Sequence, residues 1–243
     1  MKTFILIIFC FTFLIIPSVY SQKGRPGPKI VDIDGNSYKT VYIGKQHWMA
    51  ENLKTTTYSD GTPIPNDGSD VSNYNRPKWM YLYDSWYDSE NYVTTKGDAT
   101  PSHIKYGKYY NGYAIEVNVC PVGWHVPDKE EWLELFNYLG GKKVAAGKMY
   151  NSNYKSAKFN AFATNSSLFS AKFGGFIDGW DFRKEYTEFM ACWWTSTEKS
   201  NEEFSGDAYW VVKFMHGFKD VDLRMDVKHN YYPVRCIYDG EGH

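Results

Sequence analysis

Cysteine is scarce in this chain. Four are written in 243 residues, with no Cys-x-x-Cys pair, and no two histidines stand at helical spacing. The ligand pattern of a structural zinc site is therefore missing, and neither a metal nor another cofactor is expected. Charge of one sign is missing too. Lys plus Arg number 27 and Asp plus Glu 28, a net charge of -1. Without a basic excess to meet phosphates, nucleic acid is not an expected partner. No Gly-x-Ser-x-Gly elbow and no catalytic Ser-His-Asp order occur. No period of 20–50 residues repeats, which excludes solenoids and propellers.

A long apolar run occurs once, at the start. Met1-Lys2-Thr3 supplies a positive charge, Phe4 to Ile16 is apolar apart from Cys10 and Thr12, and Pro17 breaks the run. Val19-Tyr20-Ser21 then reads as a cleavage site before Gln22. This is the order of a secretory signal peptide, residues 1–21. The run is short of the roughly 20 residues a membrane span needs. No membrane span is expected after leader removal, and the mature protein is expected to be secreted or held at the outer cell surface. Residues 22–29, with Gly24, Pro26, Gly27 and Pro28, read as an extended linker. Residues 30–240 read as one domain.

Cys10 leaves with the leader, so Cys120, Cys192 and Cys236 remain. Outside the cytoplasm a disulfide is the default, and three cysteines allow three single pairings. The favoured pairing is Cys120 with Cys236, closing a loop for which chain entropy gives at most about 4–5 kcal/mol. Cys192, followed by Trp193-Trp194, reads as a buried thiol.

What is abundant is aromatic: 21 Tyr, 15 Phe and 9 Trp. Rings fit pleated surfaces and bury large areas, so for any one of them the core of a β-rich fold is the first explanation. So many rings are nevertheless hard to hide in one core. Trp79, Tyr81, Trp86 and Trp180 are the candidates for rings presented to a ligand.

Asp34-Gly35-Asn36 between Lys29–Ile33 and Ser37–Ile43 predicts a hairpin. Asp32 and Asp34 lack the later acidic ligands of a calcium loop. A strand is expected over Gln46–Ala50 and an aromatic-faced strand around Trp79, Tyr81 and Tyr83. A polar surface insertion is expected over Tyr92–His103, and Tyr109, Tyr110 and Tyr113 read as helical. The strongest helix starts at Pro127-Asp128, with Asp128 and Glu131 as a capping box. It continues with Trp132, Leu135, Phe136 and Leu139 on one stripe and ends at Gly140-Gly141. Gly174-Gly175 permits a sharp bend. Strands are expected over Cys192–Thr197, Ala208–Phe214 and Tyr232–Tyr238.

Several blocks of sequence carry a resemblance. They are Asp32-x-Asp-Gly-Asn-x-Tyr38, Thr40-Val-x-Ile-Gly44, Gln46-x-Trp-Met-Ala-Glu-Asn-Leu53, and Cys120-Pro-x-Gly-Trp-His-Val-Pro127 with Glu131-Trp132. Trp193-Trp-Thr-Ser-Thr-Glu198 and Val234-Arg-Cys-Ile-Tyr-Asp239 complete the set. In this order they are similar to the Fibrobacter succinogenes major paralogous domain, a secreted and cell-surface module of Bacteroidetes, Fibrobacteres and relatives. The likeness runs from about Ile30 to Asp239; the insertion at Tyr92–His103 and Cys192 depart from the pattern. The resemblance implies an α+β fold, remotely C-type-lectin-like, of short twisted antiparallel strands, one or two helices and long loops. It also implies a bridge from Cys120 to Cys236. Calcium-dependent sugar binding does not carry over, because the lectins' Glu-Pro-Asn or Gln-Pro-Asp loop and Trp-Asn-Asp strand are missing.

The expected function is that of a non-catalytic surface module binding a polysaccharide or a cell-envelope protein. A structural or adhesive role in a surface assembly is the alternative. An enzyme is the lesser reading. Asp178, Asp181, Glu185 and Glu188 offer a carboxylate pair, which a glycosidase needs about 5–9.5 Å apart, but acids so spaced usually form a solvated face. His125, just before the helix, reads as a hydrogen-bonded structural residue.

Overall fold

The structure is a computed structural model and describes residues 22–66, 76–80, 105–151, 163–181, 184–198 and 207–240. The expected leader, Tyr81, Trp86 and the Tyr92–His103 insertion lie outside the described residues.

The fold is α+β, with paired strands that run antiparallel and three helices among the described residues. One five-stranded sheet runs in the order Arg25–Pro26, Thr40–Ile43, Gln46–Met49, Ile237–Tyr238, Trp124–His125. A second runs Lys184–Glu185, Phe176–Ile177, Tyr231–Pro233, Tyr109–Asn111, Trp79–Met80. Met190–Glu198, Ala208–Met215 and Asp222–Val227 form a three-stranded sheet.

The three-stranded sheet organises the core through its period of two. Met190, Cys192 and Trp194 face one apolar cluster, together with Tyr209 and Val211 of the next strand. Ala191 and Trp193 face the other, with Val212 and Phe214. Met190–Glu198 and Ala208–Met215 bury side chains on both faces, so these two strands read as near-continuous apolar runs rather than alternating ones.

The second cluster receives the long helix, Lys129–Tyr138. Asp128 Oδ1 accepts the Glu131 N–H at 2.8 Å, and Glu131 Oε2 accepts the Asp128 N–H at 2.8 Å, completing the expected capping box. Trp132, Leu135, Phe136 and Leu139 are fully buried. The Gly140 and Gly141 N–H groups close the C-terminus onto the Asn137 and Phe136 carbonyls. Lys129 N donates to Thr197 Oγ1 and Ser196 N to the Pro127 carbonyl, fixing the helix start to the central sheet.

The hairpin at Asp34-Gly35 forms between Ile30–Val31 and Ser37–Tyr38. Asp32 accepts from the Asn36 backbone and side chain and from the Tyr38 hydroxyl, while Gly35 adopts φ of 82°. The expected linker is extended but not free-standing. Arg25–Pro26 pairs with Val41 and Tyr42, and Gly24 N donates to the Ser166 carbonyl.

Two expectations need correction. Tyr109 and Tyr110 lie in a strand, and only Tyr113 is helical, in Gly112–Glu116. Asn111 makes the switch, its side chain accepting the Ala114 N–H as the helix cap. Tyr232–Tyr238 is not one strand. Tyr231–Pro233 ends in the second sheet and Ile237–Tyr238 begins in the first. Pro233 brings no N–H to continue a ladder, and the Val234 and Cys236 carbonyls are taken by Leu53 and Met49. Asp222–Val227 is a strand whose mixed, half-exposed side chains gave no alternating signal.

Candidate ligand-binding surface and the motif core

The disulfide joins Cys120 to Cys236, with a sequence separation of 116 and Cα atoms 6.0 Å apart. Both lie beside the strand pair in which Trp124 opposes Tyr238 and His125 opposes Ile237. Cys192 is a buried free thiol, as expected; its Sγ donates to the Gly175 carbonyl at 3.0 Å, and burial raises its pKa.

Next to the bridge, Arg235 is 1% exposed. Its Nε and Nη2 donate to Asn52 Oδ1 at 3.2 and 2.9 Å, its Nη1 donates to the Phe169 carbonyl, and its guanidinium lies 4.1 Å from the Phe169 ring centroid. The same Asn52 oxygen accepts Trp193 Nε1 at 2.9 Å, while Asn52 Nδ2 donates to the Tyr106 carbonyl. Burial works against the guanidinium charge and lowers its pKa. Three separated motif blocks thus converge on one amide. Their polar groups are spent on one another and hold the core together.

His125 is equally occupied. Its Nδ1 meets Asp239 Oδ1 at 2.5 Å and its Nε2 meets Glu131 Oε1 at 2.9 Å. The Glu131 hydrogen bond, opposed by partial burial and reinforced by Asp239, raises the histidine pKa to about 9. The ring is protonated at neutral pH and clamps the first helical turn to the last strand. An imidazolium so paired has no lone pair for general-base work. Its pKa is raised above the unfolded value near 6.5, so the stabilisation is full below about pH 6.5 and fades as pH rises through about 9. The midpoint of urea unfolding should fall over that interval in the wild type and stay flatter in His125→Gln. A wild-type midpoint that holds steady would contradict the clamp.

The candidate rings separate cleanly. Trp79 is 6% exposed, with its indole N–H on the Ile64 carbonyl at 2.8 Å. This ring is core rather than a platform, because its strand pairs with Tyr109–Tyr110 beneath the loop that carries Ile64. Tyr81 and Trp86 lie outside the described residues. Trp180 is 64% exposed, while Trp48, Trp124, Trp132, Trp193 and Trp194 are buried.

Local chemistry presents Trp180. Asp178 Oδ1 accepts the Trp180 N–H at 2.7 Å, forming an Asx turn. Gly179 N donates to Asn230 Oδ1 at 2.9 Å. A Cβ on Gly179 would lie 1.8 Å from the His229 carbonyl oxygen, so only glycine permits this approach. The Trp180 and His229 rings then meet edge to face with centroids 4.3 Å apart. Of the carboxylates expected here, Asp178 is committed to this turn, and Glu185 sits in the strand paired with Phe176.

Sequence reasoning missed a second set of exposed rings: Tyr186, Phe189 and Phe218, at 52%, 50% and 59% exposure. Tyr186 and Glu188 have positive φ in the turn that carries Phe189, and His216 N joins that turn to the one bearing Phe218 by donating to the Phe189 carbonyl. Nothing in an isolated Tyr or Phe marks it as exposed.

No group of three or more His, Cys, Asp or Glu side chains suited to a metal occurs among the described residues. No described helix is long and apolar enough to cross a membrane. No curated protein and no solved structure matches the chain. The sequence model of the Fibrobacter succinogenes major domain (Fib_succ_major) matches residues 41–238, a stretch that takes in the bridge, the Asn52–Arg235 core and the Trp180 turn, and the chain belongs to that family.

Proposed function

We propose that this is an exported, non-catalytic module of remotely C-type-lectin-like design that binds carbohydrate at the cell surface, with Trp180 as its principal ring. The observation that carries the reading is the exposed Trp180 indole on a turn held from both sides by Asp178, Asn230 and His229. A flat ring fixed beside polar groups suits the apolar face of a sugar and its hydroxyls. The bridge from Cys120 to Cys236 fits an oxidising compartment. The occupied state of His125 and Asp178 supports binding over catalysis.

A panel of neutral polysaccharides tested by pull-down or affinity electrophoresis should contain a retained ligand. Trp180→Ala should weaken that retention about tenfold or more, on the scale of a buried aromatic anchor worth about 2 kcal/mol. Retention unchanged by Trp180→Ala would remove this residue from the site. A second reading, docking to an envelope protein, is favoured by exposed Phe189 and Phe218. Cross-linking to one protein on intact cells, lost in Phe189→Ser/Phe218→Ser but kept in Trp180→Ala, would favour it.

A further inference from the structure

Several lysines gather around one opening of a chain whose net charge is -1. A cavity of about 410 Å³ opens between the first strand and the loop around Leu168, lined in part by Lys29, Lys39, Thr40, Ser170 and Lys172. A crevice of only about 10 Å³ adjoins it, sharing Glu51 and Lys172 and adding Lys54, Lys105 and Arg235, whose charges act on the larger cavity from beside it. Five lysines line the two openings, beside the inward-turned Arg235, and among the described residues Glu51 is the one carboxylate in either lining. Away from this opening, Lys213 is paired with Asp226, Arg224 with Asp222, and Lys228 with Glu116 and Glu198. Lys29, Lys39, Lys54, Lys172 and Arg235 take part in no ion pair among the described residues.

Geometry holds this asymmetry in place. Glu51 Oε2 accepts the Lys39 backbone N–H at 2.8 Å, and Lys172 Nζ donates to the Lys105 carbonyl at 2.7 Å. Burial first, then the charges of Arg235, Lys54 and Lys105 against the opposing pull of Glu51, lowers the Lys172 pKa. The rim loop is strained as well. Asn165, Leu168 and Ser170 have φ of 48°, 58° and 58°, a conformation costing non-glycine residues about 1–3 kcal/mol each. It is kept by reciprocal hydrogen bonds between Asn165 and Ser170 and by Arg235 on the Phe169 carbonyl.

We infer that this basic cleft is a binding site for an acidic saccharide, a chain of sugars bearing carboxylate groups. The volume suits a small ligand of one or two rings. Pro26, Ala50 and Leu168 offer apolar contact, and Thr40 and Ser170 offer hydroxyls. The guanidinium fork that would grip a single phosphate is turned inward onto Asn52, leaving lysines as separate point charges. Separate charges match an anion that recurs along a chain. Such a cleft also concentrates anionic ligand from solution.

The site shares no residue with the Trp180 turn, so the two proposals fail separately. The folded chain is titrated with oligogalacturonate at low salt, with dextran, inorganic phosphate and phosphatidylglycerol vesicles as parallel arms. Oligogalacturonate should bind, weaken steeply towards about 0.5 M salt, and bind equally well to Trp180→Ala. Lys39→Gln/Lys172→Gln should weaken it about tenfold. Lys29→Gln/Lys39→Gln, two exposed positions, provides the same test if the first pair disturbs folding. Absence of oligogalacturonate binding would overturn the inference. So would affinity unchanged in the Lys29→Gln/Lys39→Gln variant, or tighter binding of phosphate or of the vesicles.

Discussion

Asn52→Leu should destabilise the protein by about 3–5 kcal/mol, measured as a lower urea midpoint at an unchanged slope. The substitution is close in volume and apolar, yet it removes one oxygen that serves Arg235 twice and Trp193 once. It leaves a 1%-exposed guanidinium with the Phe169 carbonyl as its remaining hydrogen-bond partner. A stranded charge costs more than the same contact returns when made, because the group has already been taken out of water. Asn52→Asp keeps the acceptor and supplies an opposite charge, so it should lose less. A larger loss for Asn52→Asp than for Asn52→Leu would mean that the guanidinium is not what the amide serves.

Removing the bridge ranks beside it. Cys120→Ala/Cys236→Ala should cost about 4 kcal/mol, within the usual 2–5 kcal/mol, and lower the melting temperature by about 8–16 °C for a chain of this size. With 116 residues of separation, the loop is long enough for the entropic effect to approach its upper range. Both cysteines are fully buried in the apolar cluster, so alanine leaves no unsatisfied polar group behind. The two effects should not add. Arg235 directly precedes Cys236, and the same short segment carries both interactions.

Where one residue's neighbours in sequence are also its neighbours in space, the sequence was readable. The helix at Lys129–Tyr138 follows from a capping box, a stripe and two glycines, all local. The hairpin at Gly35 is local in the same way. The break between Tyr231–Pro233 and Ile237–Tyr238 depends instead on Met49 and Leu53, which reach the chain from far away in sequence. Arg235 between apolar Val234 and Cys236 was a visible oddity, but its partners lie 66 and 183 positions off.

The candidate site was legible only in part. Trp180 stands among Gly179, Asp178 and Asp181, turn residues that already point to the surface. Trp79 stands beside Met80 in an aromatic run, a setting from which exposure cannot be read because burial depends on the covering loop. The basic cleft draws its lysines from five separate stretches, so the even overall charge concealed it.

Peptide mapping of the unreduced, alkylated protein tests the stapled motif core most directly. A single linked pair should join the Cys120 and Cys236 peptides, with Cys192 alkylated only after the protein is unfolded. Cys192 found in a disulfide, or Cys120 and Cys236 alkylated as free thiols in the folded protein, would contradict it.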